Sequence, residues 1–462
     1  MKPLDREILR LAVPSILANI TVPLVGMVDI AVAGHLHPDG PYGAAEFIGG
    51  ISVGALMLNV IYWCFAFLRA STGGLTAQAY GRWMSSASAP AAGPVRGKAG
   101  AECAGILRQS VLLALGSAGL LLVLQWPLSR LALLFKESTP AVADLALRYF
   151  FIRIWAAPAT LCMMSFKGWF IGMQDSVSSM LTDLTVNAVN IVASIVLTLG
   201  IGGWEGLGFD GIALGTVVAQ YSGLLLAVLM VTFKYRLPAG RPSGQGGVLH
   251  RLLTLNSDLF IRSLCFTGIY LGFTMIAAQY GDALLACANI MMNLLMIFSY
   301  FTDGFAYAGE ALTGRFIGER DREMTSRSVR HVFVWSMAVA GIWMVIYWAA
   351  GMPLLRFMTD DASVVEACRE FLPWLVVMPP LGCAAFTWDG IYIGATASRG
   401  IRDAMIAAFV AFLGTWFIGE AIISPGGAAA IHLLFATYFA HLATRTVWLS
   451  VAWRKVEEST FS

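Results

Sequence analysis

Long apolar segments, each about twenty residues in length, recur from one end of this 462-residue chain to the other. A helix of roughly 20 mostly apolar residues is what crosses the hydrocarbon core of a bilayer. The chain is 58% hydrophobic and 13% charged, whereas soluble domains are about 45–50% apolar and about 25% charged. The sequence therefore predicts an all-helical polytopic membrane protein and excludes a soluble enzyme. Long continuous runs also exclude a transmembrane barrel, which is built from short alternating strands.

Twelve such segments can be separated, and we expect each to form one transmembrane helix. They lie near residues 8–34, 46–70, 103–126, 149–172, 180–201, 210–233, 257–280, 283–308, 331–352, 371–395, 403–423 and 428–452. Lysines and arginines crowd the connections on one side, for example Arg96, Lys98, Arg236 and Arg241. The positive-inside rule therefore predicts that both termini are cytoplasmic. The formal net charge of +2 gives no reason to expect a nucleic-acid partner.

Two short sequence echoes indicate that the chain contains two related halves. LTAQAYG at 75–81 returns as LTGRFIG at 312–318, and KGWFIG at 167–172 returns as DGIYIG at 389–394. Both halves begin on the cytoplasmic side, so the repeat is parallel, with a pseudo-two-fold axis along the membrane normal. Two lobes related in this way are expected to enclose a central cleft.

The boundary between the halves is predicted from composition. The stretch KYRLPAGRPSGQGGVLHR is rich in basic residues, glycine and proline and falls near the midpoint of the chain, as expected of a linker. We expect an N-terminal six-helix lobe at 1–233, a cytoplasmic linker at 234–255 and a C-terminal six-helix lobe at 256–462.

Asp29 is the single ionisable residue deep in the apolar run 14–34. A carboxylate there has no water to solvate its charge, so it must be neutral, paired or facing an aqueous cavity. Such a group can load and release a proton, or bind a cation when it opens to water; a structural hydrogen bond that fixes helix packing is the alternative. Pro14 and Pro23 in the same run remove backbone donors and can bend the helix.

The second half of the chain carries two further carboxylates that could couple ions or contact substrate, Asp389 and Asp303. Asp303 and Glu310 are seven residues apart and share one helix face, but Glu310 lies close to the cytoplasmic end and is more easily explained as structural. Arg69 and Arg262, near the ends of predicted spans, are expected to extend to the membrane interface. The seven cysteines and six histidines show no metal-ligand or disulfide spacing.

Polar side chains form a stripe on the fifth predicted span. Asn187, Asn190 and Ser194 are spaced by three and four residues, so they lie on one helix face. Hydrogen bonding between helices and the wall of a polar cavity both explain such a stripe within a membrane. Thr216 on the sixth span, taken alone, is typical of a packing residue.

Four motifs together resemble the multidrug and toxic compound extrusion (MATE) family, in particular its DinF-like branch. They are MVDIAVAGHL around Asp29, with Pro14 fifteen residues before it; FAFLRASTGGLTAQAYGR at 65–82; SYFTDGFAYAGEALTGRFIGERD at 299–321; and WDGIYIGATASR at 388–399. The resemblance extends over essentially the whole chain. It implies twelve spans in two six-helix lobes around a V-shaped cavity, with export driven by H⁺ or Na⁺ entering down its gradient.

The resemblance also assigns roles to individual residues. Asp29 occupies the position of the coupling aspartate of the N-terminal lobe, Pro14 matches a site of bending in the first helix, and Asn190 and Thr216 match a cation site that could hold Na⁺. Ser194 is a departure, because some members have a second aspartate there. One carboxylate fewer makes a weaker Na⁺ cage, since hard cations prefer several charged or carbonyl oxygens, and this favours H⁺ as the coupling ion.

The function expected from these observations is a secondary active antiporter that exports organic cationic or amphipathic compounds. The resemblance implies a multi-pass monomer in a bacterial cytoplasmic membrane, with small organic substrates and no cofactor. A lipid-linked oligosaccharide flippase is the first alternative and would be favoured by several intramembrane arginines, of which Arg153 is the main candidate. An intramembrane enzyme is the second, but no HExxH motif occurs.

Overall fold

The computed structural model describes residues 3–36, 42–87, 92–130, 139–235, 245–359, 361–423 and 426–462, without side chains at 87, 92–99 and 245–246. Regular structure in these ranges is helical, apart from isolated bridge residues such as the pair Ile201 and Trp204. The helices are α1 (Pro3–Gly34), α2 (Ala44–Cys64), α3 (Phe67–Ala87), α4 (Ala92–Val123), α5 (Gln125–Ser129), α6 (Pro140–Arg153), α7 (Ala157–Gly172), α8 (Ser176–Leu199), α9 (Phe209–Met230), α10 (Gln245–Ala277), α11 (Asp282–Gly318), α12 (Arg322–Met358), α13 (Ala362–Gly394), α14 (Ser398–Ile423) and α15 (Ala428–Phe461).

Eleven helical segments of the described ranges are long and apolar enough to cross a membrane. The remaining predicted span corresponds to α15, which has the necessary length but carries His441 and Arg445 among its buried residues. These polar residues lower its hydropathy without preventing burial. The prediction of an all-helical polytopic membrane protein is confirmed.

Several predicted boundaries differ from the structure. The predicted span 46–70 crosses a break: α2 ends at Cys64, and α3 begins at Phe67 after two intervening residues. Part of the predicted linker, residues 245–255, is instead the start of α10, and residues 236–244 lie outside the described residues. The reason is apolar periodicity: Leu252, Leu255 and Leu259 are buried at helical spacing, and no proline interrupts them.

Three helices end with the same backbone turn. The second residue after each terminal glycine has a left-handed conformation: Gln174 (φ 59°), Arg320 (φ 59°) and Thr396 (φ 54°). The next amide then donates back to a carbonyl five residues earlier, as in a Schellman cap. These bonds are Asp175 N to Phe170 O at 2.8 Å, Asp321 N to Phe316 O at 2.9 Å and Ala397 N to Tyr392 O at 3.0 Å. KGWFIG, LTGRFIG and DGIYIG are therefore the last turns of helices that end alike.

The chain divides into two compact units. One comprises Met1–Ile16, Ala77–Ser85 and Leu253–Ser462, and its core includes Phe273, Phe298, Phe371, Phe412 and Phe435. The other comprises Leu17–Thr76 and Ser86–Leu252, and its core includes Phe47, Leu58, Tyr149, Phe150 and Phe209. The boundary at 252 falls inside the predicted linker, and α1 and α3 each contribute to both units. The division into lobes at 1–233 and 256–462 stays a prediction.

The two halves share one type of helix contact, in which a glycine of one helix lies against a backbone carbonyl oxygen of another. A Cβ added to Gly168 would lie 2.1 Å from the carbonyl oxygen of Arg69, and one added to Gly390 would lie 2.0 Å from that of Ala306. Gly168 and Gly390 are equivalent in the KGWFIG/DGIYIG echo, and Arg69 and Ala306 have the same separation as the LTAQAYG/LTGRFIG echo. Each contact lies inside one unit.

A reciprocal contact joins α3 and α11 within the first of these units. A Cβ added to Gly81 would lie 2.0 Å from the Arg315 oxygen, and one added to Gly318 would lie 2.1 Å from the Gln78 oxygen. Gln78 and Arg315 occupy equivalent places in the echo, as do Gly81 and Gly318. The two helices thus contact each other through the same residues of the repeat, as a local two-fold axis requires.

We predict that Gly168→Ala and Gly390→Ala each lower thermal stability. The added methyl group meets a backbone oxygen that must shift, and overpacking of this kind costs about 1–3 kcal/mol. The midpoint of thermal unfolding of the purified protein in detergent measures the effect. Gly116→Ala and Gly414→Ala are matched controls, since nothing lies within 4 Å of the added Cβ at either position. Equal midpoints for all four variants would contradict the packing described here.

Candidate cation-coupling site

The site is built on the close approach of α8 and α9. Small residues occur at every fourth position of α9 and all are buried: Gly211, Gly215, Ala219, Gly223 and Ala227. Small residues at this spacing let membrane helices pack backbone to backbone. A Cβ on Gly215 would lie 2.7 Å from Ser194 Oγ, so glycine at that position allows α9 to lie directly against the polar stripe of α8.

Asn190 and Thr216 are brought together by this packing. Asn190 Nδ2 donates a hydrogen bond to Thr216 Oγ1 at 2.9 Å, and both side chains are buried. Asn190 Oδ1 has no hydrogen-bond partner among the described residues. The pair predicted for the cation site therefore exists, with one amide oxygen left to accept a further bond.

Asp29 is buried on α1 and is bonded to α8. Its Oδ1 accepts a hydrogen bond from Ser194 Oγ at 3.1 Å, and 5% of the residue is exposed. Ser194, where the sequence departs from the family pattern, is thus the direct partner of Asp29, while Asn190 and Thr216 bond to each other. A serine hydroxyl can donate to a carboxylate, whereas a second carboxylate could do so only when protonated.

A second hydrogen bond ties α1 to α8 about two turns away. Asn187 Nδ2 donates to Thr21 Oγ1 at 2.5 Å. Pro23 lies between Thr21 and Asp29, and α1 is helical through both Pro14 and Pro23. The C-terminal part of α1 is therefore attached to α8 on both sides of a residue that lacks a backbone donor.

Tyr149 and Arg153 complete the polar surroundings of Asp29. Arg153 Nη1 donates to Tyr149 OH at 3.0 Å, and the charge of Arg153 acts electrostatically on Asp29. The sequence analysis noted Arg153 only as an intramembrane arginine and did not consider Tyr149. The spacing of four residues places them on one helix face, but nothing in the sequence places that face beside α1.

The candidate residues of the second half lie in a different setting. Asp389 Oδ2 accepts hydrogen bonds from Arg262 and from Arg445, the latter at 2.6 Å. Asp303 is half-buried on α11 and within electrostatic range of Tyr300. Arg262, which the sequence analysis places at the membrane interface, lies near the middle of α10 and pairs with Asp389.

Oxygen atoms dominate the arrangement around Asp29. The Asp29 carboxylate could bind a proton. The hydroxyl groups of Ser194, Thr216 and Tyr149 and the Asn190 amide add neutral oxygens to this polar network, and the Arg153 guanidinium adds a positive charge. Within the described ranges, no group of three or more His, Cys, Asp or Glu residues could hold a metal ion. This is a polar site built inside a membrane helix bundle.

Comparison with known proteins identifies the family. The MatE family model matches residues 14–196 and 259–423. The chain belongs to the MatE family. DNA damage-inducible protein F of Escherichia coli (strain K12) is 34% identical over 459 residues, which cover 98% of this chain and 92% of that protein.

More distant relatives of this MatE protein match most of its length, and a solved structure shares its fold. A probable multidrug resistance protein NorM of Thermotoga maritima is 22% identical, with 89% of this chain and 83% of that protein covered. A crystal structure described as MATE in the bent conformation has a TM-score of 0.79 at 15% identity and covers 99% of this chain and 97% of the other. The resemblance inferred from the four motifs is confirmed, and the chain is a membrane transporter rather than an enzyme.

We predict that Thr216→Val destabilises the MatE protein more than Thr216→Ser. Valine keeps the shape but leaves the buried Asn190 amide without its acceptor, which costs about 1 kcal/mol in a membrane protein. Serine keeps the oxygen. Thermal unfolding in detergent measures both variants, and equal losses would show that the Asn190–Thr216 bond does not contribute to stability.

Proposed function

We propose that this MatE protein is a secondary active antiporter that exports organic cationic or amphipathic compounds in exchange for protons, with Asp29 as the coupling acid. The observation that carries the proposal is the position of Asp29. It is a buried carboxylate on a proline-containing helix, and its bond to Ser194 attaches that helix to α8.

Protonation of Asp29 would weaken this attachment. An ionised carboxylate accepts a stronger hydrogen bond than a neutral one, and the electrostatic attraction to Arg153 exists only while Asp29 is charged. Once both are lost, the Asn187–Thr21 bond still holds α1 on the far side of Pro23. We therefore expect the helix to bend at or near Pro23, with Pro14 as a second point of weakness.

The donor set favours H⁺ over Na⁺ as the coupling ion. A hard cation is best bound by several charged or carbonyl oxygens. Around Asp29 the neighbouring oxygens of Ser194 and Thr216 are neutral hydroxyl groups, and the Asn190 amide adds one carbonyl. A proton needs a single basic oxygen, which Asp29 supplies.

Antiport follows if substrate and proton stabilise different states of α1. We infer that the deprotonated state, with α1 attached to α8, binds the substrate and that protonation from outside favours the bent state that releases it. A ligand shifts such an equilibrium only by its differential affinity for the two states, and the coupling is reciprocal. We place the transporter in a bacterial cytoplasmic membrane, as a monomer with both termini in the cytoplasm.

The flippase alternative gains one observation from the structure. Arg262 and Arg445 are two intramembrane arginines on one carboxylate, in addition to Arg153 in the other unit. A flippase needs such cations to hold a pyrophosphate. A buried carboxylate on a proline-containing helix serves proton coupling and has no comparable role in a flippase, so the antiporter remains the preferred hypothesis.

Transport by reconstituted protein tests the proposal. Wild-type vesicles should export a cationic dye under an imposed pH gradient and much less under a Na⁺ gradient of equal size. Asp29→Asn keeps the shape but cannot be protonated at neutral pH, so we predict that proton-driven efflux falls by about tenfold or more, the factor given by about 1.4 kcal/mol of lost coupling. Undiminished efflux by this variant would overturn the assignment.

Glu205→Gln is the matched control for that experiment. Glu205 is an exposed carboxylate in the connection between α8 and α9, so its loss should leave proton-driven efflux unchanged. Both proteins are compared at equal amounts of folded transporter in the vesicles. A parallel arm with Na⁺ alone identifies the ion, because wild-type efflux driven by Na⁺ as strongly as by H⁺ would contradict proton coupling.

A further inference from the structure

The second half of the chain contains a buried charge cluster that the coupling scheme does not use. Asp389 on α13 accepts hydrogen bonds at one oxygen, Oδ2, from Arg262 on α10 and from Arg445 on α15. The exposed fractions of the side chains are 10% for Asp389, 23% for Arg262 and 1% for Arg445. All three belong to the same compact unit.

The charges of this cluster do not balance. Two guanidinium groups face one carboxylate, which leaves one positive charge. Tyr438 and His441 also lie within electrostatic range of Arg445, and neither side chain carries a negative charge at neutral pH. An uncompensated charge in the apolar interior of a membrane protein is costly, so a further anion would stabilise these three side chains.

Hydrogen-bond donors remain available for such an anion. Arg262 Nε and Arg445 Nη1 are both buried and have no partner among the described residues. A guanidinium group presents its donors in a planar fork that matches the oxygens of carboxylates and phosphates. The donors left over are therefore of the type that binds an oxyanion.

The equivalent position in the first half carries a different charge arrangement. Asp389 corresponds to Lys167 in the KGWFIG/DGIYIG echo, and Lys167 forms one ion pair, with Asp183. That pair is neutral, whereas the second half places two arginines on one carboxylate.

We propose that Arg262, Asp389 and Arg445 form a binding site for one oxyanion group, a carboxylate or phosphate, on an amphipathic molecule. The ligand reaches the cluster from the side of Arg262, the most exposed member. The ring of Phe386 lies 5.8 Å from the Arg445 guanidinium carbon and offers an apolar surface beside the charge. The inference deepens the proposed function by adding an anionic group to the compounds that the transporter binds.

Asp389 limits the affinity of this site. Its second oxygen, Oδ1, is buried and has no donor among the described residues, and its charge competes with an incoming anion for both arginines. Removing the carboxylate should therefore strengthen anion binding, while removing an arginine should weaken it. A purely structural cluster predicts no such difference in sign.

Binding of 4-phenylbutanoate to the purified protein, measured by calorimetry without any ion gradient, tests the proposal. The wild type should bind 4-phenylbutanoate and not the uncharged 4-phenylbutanamide. Arg262→Gln should weaken binding by about tenfold, as expected for about 1.4 kcal/mol, and Asp389→Asn should tighten it. Arg402→Gln is the matched control, since Arg402 pairs with Asp258 in the same unit and should leave the affinity unchanged.

The lipid content of the purified protein identifies the source of the anion. Phosphatidylglycerol that co-purifies with the wild type, is displaced by 4-phenylbutanoate and is lost in Arg262→Gln would assign the site to a phosphate headgroup. Asp29→Asn should bind 4-phenylbutanoate as the wild type does, so failure of proton coupling would not affect this result. Equal weakening by Arg262→Gln and Asp389→Asn, or no binding of either anion, would overturn the proposal.

Discussion

A charged group inside a membrane helix needs a partner, and this constraint determines how α1 is held. Asp29 is buried, so its ionised form depends on the Ser194 hydroxyl group and on the nearby charge of Arg153. Both partners lie outside α1. Under the proposed mechanism, protonation of Asp29 would therefore change how strongly α1 is attached to α8.

Glycines make the close packing of α8 against α9 possible. Polar side chains on α8 can meet those on α9 only because Gly215 allows the backbones to approach closely. Close backbone contacts of the same kind occur at Gly168 and Gly390, which lie against carbonyl oxygens at equivalent places of the repeat. The internal duplication thus preserves the backbone contacts, while the charges placed on that frame have diverged, with Lys167 in one half where the other has Asp389.

Features that depend on local sequence were predictable. The length of the apolar runs predicted the helices, and two short echoes predicted the internal repeat. The isolated carboxylate in an apolar run indicated Asp29 as a candidate site residue. Side-chain pairings between helices were not predictable, because sequence alone does not fix the rotation of one helix against another. Ser194 was recognised as part of a stripe but not as the donor to Asp29, and Arg445 was missed because a buried arginine has the same local pattern as an interfacial one.

Proton release on substrate binding tests the central claim most directly. In weakly buffered detergent solution, addition of a transported cationic compound to the wild type should release protons, since substrate and proton favour different states of Asp29. The account predicts that Asp29→Asn binds the compound without proton release, whereas Glu205→Gln releases as many protons as the wild type. Undiminished release by Asp29→Asn would contradict the account, because another group would then carry the coupling proton.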